Sequence, residues 1–518
     1  MRRLLWMVLL AVVVVGPASP GGGDGGARSG GGTLRIGVAP VGSLDPAQAR
    51  SIEQVLVAAQ LFDSLTGYDP TTLEPVPALA AGWEAAPDQR RWTFRLRPGA
   101  VFANGRAVTS ADVKYSFERV ARRGSGSPGA ELLQAVSGYG AFRNGAPDLA
   151  GVTAPSPDVV KIALDQPMAV LASVVASPVL SVVAKEAVEA EVPFAEAPVG
   201  SGPFRLVSAE EGVLSLAPSP GVGAAVALAG VDVIQYADLR AAYVAFTRGQ
   251  VDWARVPPDE VETAARRYGD GAFRPFVAEL FFGFNLRSPK LGDARVREAI
   301  VRGIDRRAVV AAVYHGTATP AAGIVVDGLP GAQADGCARC GHDPERSRQL
   351  LAEVFGPGGP PEVTLDYDAD GTQEAMARVV QASLASVGIP VTLRPTSPQT
   401  YDRHILSGDQ EVFRLGWIAA YPSPDAVLWP LFRSGSVDNL TGFAEPAVDD
   451  LLSAARSEAD PARRTALYQE AERAIMDAVP VIPMAQLQLQ SVVSRRVRGL
   501  IVTSMGTFDA AAVSLAGA

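Results

Sequence analysis

The feature that narrows the fold most is a change of hydrophobic period that recurs along the chain. VTLDYD (363–368) reads as a strand, Gln373 to Val387 as a helix stopped by Gly388, and IPVTLR (389–394) as a second strand. GTLRIGVA, VVKIAL (159–164) and VGSGPFRLV (199–207) add further strand patterns between helical stretches. Such alternation predicts α/β lobes with mixed or parallel sheets and argues against a sandwich.

Helix starts are legible from their caps. Asp293 precedes ARVREAIVRGI, Asp305 precedes RRAVVAAVYH, and both Asp343-Pro344 and Asp460-Pro461 place proline where a helix does not need its N–H. In the last of these helices Leu467, Ala471 and Ile475 are the expected buried stripe. Residues 91–120 compress the same grammar. Trp92, Phe94 and Leu96 alternate with Thr93, Arg95 and Arg97, Pro98-Gly99 stops the strand, and Asn104-Gly105 suits a tight turn. Thr109 then caps a helix whose Asp112 faces the positive end and whose Val113, Phe117 and Val120 share one side.

At 518 residues, with 48% hydrophobic and 19% charged side chains, the chain has material for about three units of roughly 150 residues. Residues 1–20 carry Arg2 and Arg3, an apolar run from Leu4 to Val15, and small residues near Ala18. That run is shorter than the ~20 residues a bilayer needs, so it reads as a secretory signal, with 21–32 a Gly-rich linker. No cysteine lies near the junction to take a lipid. Without those twenty residues 44 basic side chains face 55 acidic ones, a net charge of −11 that disfavours nucleic acid as a partner.

Cys337 and Cys340, in DGCARCGHD, are the only cysteines. In an exported chain they read first as a local disulfide, with a redox pair, or a metal site completed by His342, as the alternatives. Enzyme signatures are missing: three histidines, no HExxH, no GxSxG and no phosphate-binding GxxxxGK[ST]. No catalytic residue, cofactor or metal is expected.

WEAAPDQRRWTFRLRPGAVFANGRAVTSADVKYSFERV resembles the signature region of family 5 extracytoplasmic solute-binding proteins, the peptide/nickel class that serves ABC importers. Further blocks agree in order along most of 32–500, among them FDSLTGYDP, PALAAGW, VGSGPF, FNLRSPKLGDARVREAIVRGIDR, DPERSRQLLAE, GWIAAYPSP, NLTGFAEPAVDDLL and AVPVIPM. The resemblance implies an α/β, two-lobed periplasmic-binding-protein-like fold with an extra subdomain on the first lobe and a hinge between lobes that close over a solute. Lobe I would comprise 33–55, 196–276 and 488–518, the subdomain 56–195 and lobe II 277–487, with crossings near Val277–Phe284 and Gln488–Val493. The signature region then serves as scaffold. Function would be capture of a peptide-like or related small solute for a membrane permease by an exported, periplasmic or cell-envelope monomer. A secreted hydrolase, or a sensing or chaperone-like protein on the same fold, remains the alternative.

In peptide-binding members of the family a W-x-A-D-Y block supplies an aspartate for the ligand's α-ammonium group. Trp417, Ala419 and Tyr421 match it, but Ala420 stands at the aspartate's place, and Asp425 replaces it only if the loop folds inward. Arg403, His404 and Arg414 are candidates for an anionic group, Trp417 and Tyr421 for flat apolar contact, and Asn439 for orienting the site or capping a turn. Asp45 is expected to be structural. On this reading Trp417→Ala weakens binding with little loss of folding.

Overall fold

The computed structural model describes residues 31–220 and 226–516. The expected signal segment, and the linker up to residue 30, lie outside these. The chain forms two compact units, one ending at Phe273 and resuming at Gln490, the other spanning Arg274–Leu489.

The first unit is built on a six-stranded sheet in the order Ser491–Val493, Trp253–Arg255, Gly31–Val38, Leu228–Gln235, Val213–Pro218 and Phe204–Glu210. Gly31–Val38 runs parallel to both neighbours, with Ile36 opposite Val233 on one side and Trp253 on the other. Leu34 and Ile36 are fully buried, among Leu56, Phe204, Val231 and, from the far end of the chain, Phe508 and Val513.

A second, antiparallel sheet in this unit orders Ala80–Ala85, Arg91–Leu96, Val159–Ala163 and Val152–Ser156. Trp92, Phe94 and Leu96 are its buried side while Arg91 and Arg95 are exposed, as the alternation predicts. The Asn104-Gly105 turn is shorter than a hairpin: only Val101 and Ala107 pair across it, with Gly105 at φ 86°. Helix Ser110–Ala121 follows, its Asp112 accepting from the Thr109 N–H at 2.8 Å and burying Val113, Phe117 and Val120. Arg106 donates to both Asp112 (2.7 Å) and Glu186 (3.0 Å), which fixes the turn against the helix. Asp45 is held by Arg119 at 2.9 Å and caps a short turn through the Ala47 N–H. Two glycines of the VGSGPF block exist for close approach: a Cβ on Gly200 would stand 1.8 Å from the Leu61 carbonyl, and one on Gly202 2.5 Å from the Phe62 nitrogen.

The second unit also carries a six-stranded mixed sheet, ordered Ala318–Pro320, Val481–Leu489, Arg274–Phe284, Val412–Ile418, Val363–Asp368 and Val391–Thr396. Val363–Asp368 and Val391–Thr396 are parallel and joined by helix Gly371–Ser386, the unit read from their pattern. The segment Val277–Phe284 lies within the central Arg274–Phe284 strand, and all eight of its residues are buried. The expected caps form: Asp293, Asp305, Asp343 and Asp460 accept from the Arg295, Ala308, Arg346 and Arg463 N–H groups. Helix Pro461–Ala478 buries Tyr468, Ala471, Glu472, Ile475 and Met476, so Leu467 is only a flank of the stripe. Buried Arg297, in the ARVREAIVRG helix, donates to the carbonyls of Leu291, Gly292, Ala478 and Val479. A guanidinium with its donors so satisfied is architecture. Cys337 and Cys340 are bonded (Sγ–Sγ 1.96 Å), and the Cys340 carbonyl accepts from Arg306 at 2.6 Å.

Candidate functional site

The second unit's Val412–Ile418 strand carries two of the residues singled out by sequence, Arg414 and Trp417. Along one edge it pairs with Arg274–Phe284 over its whole length, Glu279 opposite Trp417 and Phe282 opposite Arg414. Along the other it meets Val363–Asp368 only at Val412 and Phe413. From Arg414 to Ile418 that edge has no strand beside it among the described residues. Tyr401 donates its hydroxyl to the Arg414 carbonyl at 2.8 Å, which shows that even-numbered residues face this edge. The peptide groups of Gly416 and Ile418 therefore point along it.

Arg414 is the charged group of that edge. Its side chain is 15% exposed, and a Cβ on Gly416 would stand 3.7 Å from its Nη2. The guanidinium thus lies beside the free peptide groups. Its Nε is 3.6 Å from Asp368 Oδ1, beyond a hydrogen bond. Burial raises the Asp368 carboxyl above the usual carboxylate range, against the lowering pull of Arg414.

Trp417 is half-buried and donates its indole N–H to the Ala426 carbonyl at 2.7 Å, tying the strand to helix Asp425–Phe432. Trp417→Ala therefore removes a packing tie as well as a flat surface, and the expectation of little folding loss needs correction. Tyr421 is buried and donates to Asp425 Oδ2 at 2.8 Å. Asp425 does fold inward, but into the unit's own core. Tyr468 donates to its other oxygen at 2.8 Å and Arg456 Nε lies 3.4 Å away, with Asp425 fully buried. Fully buried with both oxygens engaged, it is not presented to a solute amine, and the exposed Ala420 has no carboxylate.

The remaining candidates are spread out. His404 Nε2 stands 2.6 Å from Asp366 Oδ1, whose other oxygen takes Arg394 at 2.8 Å. Arg403 is exposed on the same Pro398–Ile405 helix. Asn439 is buried, donating to the Arg433 and Phe443 carbonyls and accepting from Thr441, which makes it the staple of its own loop. Of the six, only Arg414 and Trp417 stand on the open-edged strand.

Four groups escaped the sequence reading. Glu279, cross-strand from Trp417, is 4% exposed and neither carboxylate oxygen has a hydrogen-bond partner. Burial, and to a lesser degree Glu472, push its pKa well up. Tyr314 and Gln373 are buried with an unpartnered hydroxyl and amide oxygen. A signal existed for Asp368: Asp366 and Asp368 alternate along the strand VTLDYD, so two carboxylates share one face. Among the described residues no group of three or more His, Cys, Asp or Glu is placed to hold a metal ion.

The sequence profile of the bacterial extracellular solute-binding proteins, family 5, matches residues 74–439. The chain is 28% identical over 467 residues to the periplasmic murein peptide-binding protein MppA of Escherichia coli (strain K12), covering 86% of this chain and 85% of the relative. It is 27% identical over 489 residues to the glutathione-binding protein GsiB of the same organism, covering 89% and 91%. The solved structure of the murein tripeptide-binding MppA in an unliganded open form superposes with a TM-score of 0.82 at 25% identity, over 94% of this chain and 99% of that one.

Proposed function

This chain belongs to the bacterial extracellular solute-binding proteins of family 5, and we propose that it captures a peptide-like solute outside the cytoplasm for the permease of an ABC importer. As a member of that family it binds a solute and is not an enzyme. The observation that carries the peptide-like reading is the open edge from Arg414 to Ile418. An extended peptide adds to such an edge through main-chain hydrogen bonds, which give affinity without demanding one side-chain sequence.

Arg414 beside Gly416 supplies a fork for a carboxylate on the same solute. Trp417 supplies apolar area at the strand's end. The relatives named above bind murein peptide and glutathione by their names, and a short peptide-like solute for this chain agrees with them. On this reading the protein acts as an exported monomer, residues 1–20 direct its export, and its acidic surface has no role with nucleic acid.

The test is calorimetry with tripeptides and their singly N-methylated forms. Main-chain pairing predicts that methylating one particular amide weakens binding roughly tenfold or more, the loss of about one hydrogen bond or two, while methylating its neighbour changes little. Equal affinity for all methylated forms would remove the strand-addition reading.

A further inference from the structure

Between strand Ala318–Pro320 and helix Pro344–Phe355, residues 321–343 form neither helix nor strand, a stretch longer than most connections inside a compact unit. It is nonetheless pinned along its length. Glu472 accepts from the Ile324 and Val325 N–H groups and from Gln333, and Gln486 accepts from the Asp327 N–H and donates to the Asp327 carbonyl. Arg306 donates to the Ala321 carbonyl near one end and to the Cys340 carbonyl near the other. Arg339, between the two cysteines, donates to Glu298 at 2.6 Å, and the Asp343 N–H donates to the Arg302 carbonyl at 2.9 Å.

The Cys337–Cys340 bond lies in this pinned stretch, with Cys337 8% exposed and Cys340 0%. Breaking a disulfide by exchange requires a thiolate to reach one of its sulfurs, and neither sulfur is presented for that while the segment is docked. The same burial keeps an oxidant from the two thiols of a reduced, docked chain. In an unfolded chain the position is reversed: with a sequence separation of 3 the two thiols stay close to each other without any help from the fold. The bond is therefore easy to make before docking and hard to make or break after it.

We propose that oxidation precedes docking: a disulfide-carrying oxidant acts on Cys337 and Cys340 while the segment is still open, and the contacts of Arg306 and Arg339 then seal the finished bond. One thiolate of the chain attacks the oxidant's disulfide, which gives a mixed disulfide and frees one oxidant thiol. The second thiolate of the chain displaces the other. Two protons and two electrons pass from the chain to the oxidant, which leaves as a dithiol. Such a step belongs to an oxidising compartment, so the protein is a client of thiol–disulfide exchange on its way to the folded state. The inference is independent of which solute the protein binds.

Reduction of the folded, oxidised protein by dithiothreitol, read as alkylated cysteines by mass spectrometry, is compared with the same reaction in urea. The folded protein is expected to react at least about tenfold slower, since the segment must open first, and a smaller ratio overturns the seal. Arg339→Gln is expected to speed the folded reaction several-fold and to leave the rate in urea unchanged; an unchanged folded rate removes Arg339 from the seal. The order of events is read in the opposite direction. Protein reduced and refolded without oxidant, then given 2-hydroxyethyl disulfide, is expected to close the bond at least about tenfold slower than the unfolded chain does. A reduced chain that does not refold supports the order as well, whereas a refolded chain that oxidises as fast as the unfolded one overturns it.

Discussion

Three buried carboxylates in the second unit show how little residue type says about role. Asp425 has two tyrosine hydroxyls and an arginine around it and is structural. Asp368 has an arginine at 3.6 Å and an oxygen to spare. Glu279 has no hydrogen-bond partner on either oxygen: Arg306, the cation that pulls its pKa down, spends its donors on the carbonyls of Ala321, Pro483 and Cys340, and Glu472 accepts from Ile324, Val325 and Gln333. Glu279 therefore holds its proton well above the usual carboxylate range. A carboxyl whose folded pKa is raised stabilises the protein at low pH and loses that contribution as pH rises through the folded value. Glu279→Gln is thus expected to match wild type near pH 5 and to melt progressively higher than wild type toward about pH 8, by the equivalent of roughly 1–3 kcal/mol. A melting difference constant with pH would show that Glu279 is not protonated by its surroundings. Arg414 and Trp417 were readable because they sit in one local block. Asp368 carried a local signal in its alternation with Asp366, but its apposition to Arg414 was not readable, because it depends on two strands that only the tertiary fold brings together.

At the scale of elements, capping and period carried most of the information. Each aspartate read as a cap accepts the N–H expected of it, since that bond is decided within four residues. The strand from Arg91 to Leu96 needed only its alternation. The long helix from Pro461 defeated the apolar rule because its stripe includes Glu472 and Tyr468, polar groups buried by partners from other elements. The same partners make Asp425 a junction of three helices: its own, Pro446–Ser457 through Arg456, and Pro461–Ala478 through Tyr468. Removing one charge of such a group leaves the other stranded. Asp425→Asn is expected to lower stability by about 3–5 kcal/mol in urea unfolding, and a loss under about 1 kcal/mol would mean that Tyr421 and Tyr468 hold the junction without it.

For the whole molecule, length alone pointed to three units, whereas the chain forms two, the first carrying a six-stranded and a four-stranded sheet besides two two-stranded ones. Local pattern cannot reveal that residues 490–518 return to the first unit. Arg496 grips Asp252 at 2.6 Å and Phe508 packs on Trp253, contacts set by topology and invisible to hydrophobic period. The order of family blocks along the chain carried what period did not, because the blocks record the topology itself. The central claim is that this molecule binds a peptide-like solute and returns it unchanged. Native mass spectrometry of the purified protein with a peptide panel, followed by denaturing release, tests it in one step: a one-to-one complex and a peptide recovered at its original mass are expected, and a shortened peptide, or no complex with any member of the panel, would contradict it.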